Sequence, residues 1–264
     1  MKILYFADTV GKLGREGITR QLPLWRETYQ PDVVIVNGEN LAHGNGIGRT
    51  QAAEMFATGV DVLTGGNHSF EGQGSLEILA DPEVPIIRPA NTSSKLPGRG
   101  YICIPAKNGQ KILIINLISQ EAGRYHYDSP FDALDTILAK TTGEAKHILI
   151  DWHAETTSEK AVMGWYADGK VSAVVGSHTH IPTADAKILP QGTGYISDVG
   201  MTGPYNSVIG VDPSDSIERF TKQLPIKPKI IEQGPIEINA VFIETEPNTG
   251  KTVHIEHLRK VVEK

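Results

Sequence analysis

Short apolar runs, each closed by polar or glycine residues, recur at residues 3–7, 33–36, 60–63, 111–117, 147–150 and 171–175. Runs this short, rich in Val and Ile, predict buried strands rather than helices. Between them, apolar residues recur at helical spacing over 15–29, 49–58, 74–79, 130–140 and 156–166. Strand and helix in alternation predict βαβ units and a mainly parallel sheet covered on both faces. Later runs at 187–189, 194–196, 236–244 and 252–258 lack long intervening helices and are predicted to be antiparallel. They would form a second sheet or extend the first. Leu224-Pro225-Ile226-Lys227-Pro228 reads as a surface connection. With no repeat, low-complexity tract or interdomain linker, one domain over residues 1–264 is expected.

At 264 residues and 39% hydrophobic side chains, the chain buries a sizeable core without staples. The net charge of −6 excludes a basic field for long nucleic acid. Phosphate esters remain accessible to such a chain if bound cations supply the positive charge locally. Cys103 is the only cysteine, which excludes a disulfide framework and a CxxC metal site and fits a reducing compartment. The apolar start, Met1 to Ala7, is too short for a leader and ends in Asp8. No stretch approaches the roughly 18 uncharged apolar residues of a membrane span. The expectation is a soluble, cytoplasmic protein without a membrane partner; no apolar stripe announces an interface, and a homo-oligomer remains open.

The residues that close the strands carry the chemistry. The first run ends in Asp8, the second in Gly38-Glu39-Asn40 and the third in Gly65-Gly66-Asn67-His68. Run 147–150 leads into Asp151-Trp152-His153, and run 171–175 into Gly176-Ser177-His178-Thr179-His180. Ligands of open α/β sheets bind outside the carboxyl ends of the strands, so these groups are expected to converge. Taken singly, each has a plain structural reading. Asp8 caps a helix, Glu39 and Asn40 close a turn, Gly66-Asn67 is turn chemistry and His153 is a hydrogen-bonded histidine. His178-x-His180 says more, because in extended chain both imidazoles point to one side. Joint placement at five successive strand ends is what the structural readings leave unexplained. Oxygen and nitrogen donors without thiolates suit Mn, Fe, Zn or Mg. They outnumber the needs of one tetrahedral ion, which points to a two-metal site with a bridging carboxylate. Lys12 and Arg15, just after Asp8, either neutralise a substrate phosphate or begin a solvated helix.

Six segments carry a resemblance over almost the whole length: residues 8–15, Gly38-Glu39-Asn40, Gly66-Asn67-His68, residues 153–160, residues 176–183 and residues 198–204. Taken in order, they make the chain resemble the calcineurin-like metallophosphoesterases, and within them the bacterial YmdB-type branch of 2′,3′-cyclic-nucleotide 2′-phosphodiesterase-like proteins. The wider superfamily has Asp-x-His at the first strand, where this chain has Val10, and Gly-Asp at the second, where it has Gly38-Glu39. Both departures are shared by the branch. Trp152, His43 and Asn206 stand at positions that vary within it.

The resemblance implies an α/β fold, an αββα sandwich with mainly parallel central strands and antiparallel C-terminal strands. It implies two divalent or trivalent ions, Fe or Mn first and Zn or Mg as alternatives. One would be held by Asp8, Glu39, Asn40 and His180, the other by Glu39, Asn67, His153 and His178, with Glu39 bridging. Asn40 takes the place of the missing imidazole, and His68 is left free as proton donor. The implied activity is hydrolysis of small phosphodiesters, 2′,3′-cyclic nucleotides above all, by a hydroxide bridging the ions. Met201, Thr202 and Tyr205 resemble the substrate-side loop, where the aromatic either stacks on a base or packs in a turn. His126 is a candidate pocket residue; His43, His147, His254 and His257 read as surface or structural. Competing readings are a phosphomonoesterase or broader nucleotide phosphodiesterase on the same ions, and a non-catalytic regulatory metal-binding protein. The intact His68 and full ligand set argue against the last.

Overall fold

The computed structural model describes residues 1–123 and 125–263. Its elements follow in the order β1 (Lys2–Thr9), α1 (Gly11–Tyr29), β2 (Val33–Asn37), α2 (Arg49–Ala57), β3 (Val62–Thr64), α3 (Ser75–Ala80), β4 (Tyr101–Pro105), β5 (Lys111–Ile118) and α4 (Pro130–Lys140). The second half runs β6 (His147–His153), α5 (Thr157–Ala167), β7 (Ala173–Ser177), β8 (Lys187–Ile188), β9 (Gly194–Ile196), β10 (Met201–Pro204), α6 (Pro213–Lys222), β11 (Ile236–Thr245) and β12 (Thr252–Val262).

The strands form two six-stranded sheets, ordered β12-β11-β10-β1-β2-β3 and β4-β5-β6-β7-β9-β8. In β1 the period-2 alternation turns Leu4 and Phe6 towards α1 and α2, where Leu13, Ile18, Leu22 and Met55 cover them. Ile3, Tyr5 and Ala7 face the other way and meet Ile112, Ile114, Leu149 and Val175 of the second sheet. On that sheet's far side Leu113, Ile115, Ile150 and Trp152 pack beneath Leu134, Ile137 and Met163 of α4 and α5. The strands are therefore apolar on both faces because a helix layer covers one and the partner sheet the other. This is an αββα sandwich, not one sheet with helices on both sides.

β1, β2, β3 and β10 run parallel in the first sheet, with β11 and β12 antiparallel. In the second sheet β5, β6, β7 and β9 run parallel. Strand 194–196 pairs antiparallel with β8, as expected, and also joins β7 in parallel after a crossover that contains no helix. Strand boundaries also move: residues 60–61 precede β3, β7 covers 173–177 rather than 171–175, and β12 runs on to Val262. β6 continues through Asp151 to His153, because Asn116, Leu117 and Ile118 of β5 pair with those residues. No described helix is long and apolar enough to cross a membrane.

Candidate metal centre

Each candidate ligand is delivered by the carboxyl end of a parallel strand. Asp8 is the penultimate residue of β1, β2 leads to Glu39 and Asn40, β3 to Asn67, β6 ends in His153, and His178 follows β7 at once. Asp8, Glu39 and His153 are buried, and His178 and His180 half-buried. Ligand atoms of Glu39, His153 and His178 lie within 4.8 Å of one another, as do those of Asp8, Glu39 and His180. Glu39 is common to both groups.

The hydrogen bonds orient every imidazole. Ser177 Oγ donates to Asp151 Oδ1 at 2.7 Å, so its oxygen accepts from His153 Nδ1 at 3.0 Å. That leaves the His153 Nε2 lone pair directed at Asn67 Oδ1 (2.8 Å) and His178 Nδ1 (2.9 Å). His178 Nε2 lies 2.8 Å from Glu155 Oε2, which takes its N–H and turns the Nδ1 lone pair inward. His180 Nδ1 donates to the Ile209 carbonyl at 2.9 Å, leaving Nε2 beside Asn40 Nδ2 at 3.3 Å. Three outer acceptors thus fix three tautomers with their lone pairs converging, the arrangement that orients metal-bound histidines.

Electrostatics agree. Burial lowers the proton affinity of all three imidazoles, His153 well below its ordinary range and His178 to about 4. Burial pushes Asp8 well up, with the Asp198 and Glu39 charges adding, and pushes Glu39 to about 7. Neutral imidazoles and crowded carboxylates are what a cation would relieve. Asp8 Oδ2 accepts from the His178 N–H at 2.9 Å, while its buried Oδ1 has no hydrogen-bond partner. A Cβ on Gly66 would stand 2.1 Å from Glu39 Oε2 and 2.5 Å from the His153 ring, so the backbone there must carry no side chain. Turning over the Asn40 amide, whose Nδ2 now bonds Glu39 Oε1 at 3.0 Å, would offer its oxygen inward. The donor set and the orphaned Asp8 oxygen fit bound metal.

Behind the centre, Asp151 Oδ2 accepts from Asn37 Nδ2 at 2.9 Å and from Thr64 Oγ1. Buried Lys160 Nζ donates to Ser177 O at 2.7 Å and to Asp198 Oδ2 at 3.0 Å. The same Asp198 oxygen accepts from Thr179 N at 3.1 Å and Thr179 Oγ1 at 2.8 Å. This holds the loop in which His178 (φ 99°) and His180 (φ 66°) take left-handed conformations, each at a cost of about 1 kcal/mol or more. Sequence reasoning passed over Asp151, Glu155, Lys160, Ser177 and Asp198 as functional. Asp151, Ser177 and Asp198 stood at or near strand ends, and Glu155, Lys160 and Asp198 lay within the segments that carry the resemblance.

A cleft of about 1020 Å³ opens over the centre, lined by Glu39, Asn40, His68, Glu155, His178, Thr179 and His180. His68 Nδ1 lies 3.0 Å from Glu71 Oε2, and its backbone N–H donates to Glu39 Oε2 at 3.1 Å. The residues expected on the substrate side stand elsewhere. Arg15 is held by Glu54 (2.6 Å) and the Leu41 carbonyl (2.6 Å), and Lys12 lies beside Glu16 on the exposed face of α1. Met201 and Thr202 are buried in β10, where Thr202 Oγ1 bonds the Asn239 carbonyl. Tyr205 and His126 are exposed, and neither lines the cleft, whereas His43 does.

Comparison with known proteins agrees with the fold. The chain is 40% identical over 262 residues to the 2′,3′-cyclic-nucleotide 2′-phosphodiesterase of Bacillus subtilis, covering 98% of this chain and 96% of the relative. A crystal structure of a phosphatase from Mycoplasma pneumoniae superposes with a TM-score of 0.92 at 34% identity, covering 100% of this chain and 94% of that one. A hypothetical protein from Thermus thermophilus does so at 0.90 and 35%, with both chains covered to 100%. The family model for YmdB-like proteins matches residues 4–258, and the chain belongs to the YmdB-like family.

Proposed function

We propose that the chain is a metal-dependent phosphodiesterase of small phosphodiesters, 2′,3′-cyclic nucleotides foremost, working in the cytoplasm. One observation carries the reading: His153 Nε2 and His178 Nδ1 point lone pairs at each other across 2.9 Å, beside a glutamate shared by two ligand groups. Two lone pairs at that distance repel unless positive charge stands beside them. We assign one ion to Asp8, Glu39, Asn40 and His180, and another to Glu39, Asn67, His153 and His178. When bound, the ions would make hydroxide available near neutral pH and take up charge on the phosphoryl oxygens. Iron or manganese heads the candidates, and zinc or magnesium suit the same donors.

His68 is the proton donor in this reading. It lines the cleft without belonging to either ligand group, with Glu71 Oε2 3.0 Å from its Nδ1. An alkoxide is a poor leaving group, so protonating the 2′ oxygen as the P–O bond breaks assists ring opening and leaves a 3′-monophosphate. Lys160 and Asp198 keep the 178–180 loop in place while Glu155 and Ser177 hold the tautomers.

The test is metal analysis of purified protein, followed by kcat/KM on 2′,3′-cyclic AMP, 3′,5′-cyclic AMP and p-nitrophenyl esters. Two metal equivalents and a preference for the 2′,3′-cyclic diester are expected; a preference for the monoester overturns the reading. His68→Ala should retain metal and lose about 10²- to 10⁴-fold in turnover of a diester, and unchanged turnover removes His68 from this role. A second reading, phosphomonoester hydrolysis at the same residues, is favoured by the description of the Mycoplasma pneumoniae structure as a phosphatase.

A further inference from the structure

Between β10 and β11 the chain leaves the first sheet and returns, with the base of the excursion closed by Tyr205 N donating to Pro235 O at 2.9 Å. The excursion is fastened over the candidate metal centre. Its Ile209 carbonyl accepts from His180 Nδ1, and Ile230 packs where Gly11 and Gly44 leave room. Within it Arg219, Lys222, Lys227 and Lys229 face Asp212, Asp215, Glu218 and Glu232 in number. The acids are mostly used locally. Asp212 caps α6, Asp215 accepts from the Lys229 backbone N–H at 3.0 Å, and Glu218 pairs with Lys222 at 2.8 Å. Glu232 lies 3.8 Å from His43.

What remains is Arg219, Lys227 and Lys229, all exposed and all lining the cleft. Among the described residues none of the three side chains forms an ion pair. An acidic protein thus places three cations, none in an ion pair, on a cleft wall that also carries Glu71, Glu155 and Glu232. The cleft, at about 1020 Å³, also sits at the upper end of small-molecule pockets, larger than one cyclic mononucleotide requires. A scissile phosphate seated on the metal ions would leave these cations without an anion.

We infer that Arg219, Lys227 and Lys229 bind a second phosphate of the substrate, the one on the 5′ oxygen of the nucleoside whose 2′,3′-cyclic phosphate is opened. This rests on the phosphodiesterase reading and narrows its substrate class. The second phosphate belongs either to a 5′-phosphorylated cyclic nucleotide or to the internucleotide linkage of a short oligoribonucleotide ending in a cyclic phosphate.

The experiment compares kcat/KM of the metal-loaded protein on adenosine 2′,3′-cyclic phosphate, its 5′-phosphorylated form and the dinucleotide ApA with a 2′,3′-cyclic terminus. A charge-assisted phosphate contact is expected to raise kcat/KM by roughly tenfold or more over the unphosphorylated compound. Arg219→Ala and the double variant Lys227→Ala, Lys229→Ala should erase most of that advantage, losing far more on the phosphate-bearing substrates than on the plain cyclic nucleotide. Gain with both compounds assigns the contact to phosphate of either source; gain with the dinucleotide alone assigns it to an RNA end. Equal kcat/KM on all three, or equal proportional loss in the variants, overturns the inference and leaves the phosphodiesterase reading standing. No turnover of any of the three overturns both.

Discussion

Single residues at the centre are constrained by space as much as by chemistry. Gly66→Ala would press a methyl group against Glu39 and His153, so the variant should purify with at least about tenfold less tightly held metal. Elemental analysis beside a thermal melt checks this, and full metal content in a folded variant would refute it. His147 makes a different prediction, far from the centre. It is buried, its Nδ1 lies 2.8 Å from Thr245 Oγ1, and its buried Nε2 has no partner. Burial, with the N-terminal charge adding, lowers its proton affinity from 6.5 to about 4. Between those values the unfolded chain binds the proton and the folded one does not. Its contribution is therefore complete above pH 6.5 and is lost as pH falls towards 4, with a slope of up to about 1.4 kcal/mol per pH unit. Urea melts across that window should show a shallower pH dependence for His147→Gln; an unchanged slope would remove His147 as its source. The sequence reading of His147 as surface or structural contained no hint of this, because the burial comes from β6 meeting Thr245 at the far end of β11.

Elements are tied to the centre by one buried ion pair. Lys160 on α5 and Asp198 after β9 jointly hold Ser177 and Thr179, which bracket His178. Lys160→Met would leave Asp198 buried and uncompensated, at a cost of about 3–5 kcal/mol. Thr179→Val removes one donor only. It should weaken metal affinity roughly tenfold with little change in melting temperature, and Thr179→Ser should restore it. A cobalt titration of the apoprotein reads the difference, and an affinity equal to that of the unmodified chain would reduce the clamp to a structural role. Both partners lay inside motifs legible in the sequence, yet their pairing did not, since 38 positions separate them. Three elements escaped the sequence reading for reasons of the same kind. β10, Met-Thr-Gly-Pro, has no strand pattern and exists because β1 and β11 pair with it. The strand at 101–105 has an apolar run of only four residues, Tyr101 to Ile104, closed by Pro105, and borders only one neighbour. α6 buries only Ser216 and offers only two large apolar residues, Ile217 and Phe220, both exposed and too few to set a helical period, although Asp212-Pro213 is a start signal.

At the scale of the whole molecule, three separate apolar layers hold the sandwich, and none includes a candidate ligand. Stripping metal should therefore leave the far-UV circular dichroism unchanged while lowering stability by mass action. At a metal concentration 100 times its dissociation constant the loss is about 2.7 kcal/mol, or roughly 5–10 °C in Tm for a chain of this size. Differential scanning fluorimetry with and without chelator tests it, and identical melting temperatures would mean that no metal is held by the folded state in preference to the unfolded one. The amino-acid order alone determined that strands alternate with helices and that each strand closes in a polar donor, because periodicity and strand-end chemistry are local properties. The face-to-face packing of two sheets was implied by the resemblance and not by periodicity; only the tertiary structure decided which nitrogen of each histidine points inward and which cations line the cleft. Those outcomes depend on contacts such as His178 N to Asp8 Oδ2, across 170 positions, and no local pattern encodes a distance between strands that meet only after the chain has folded.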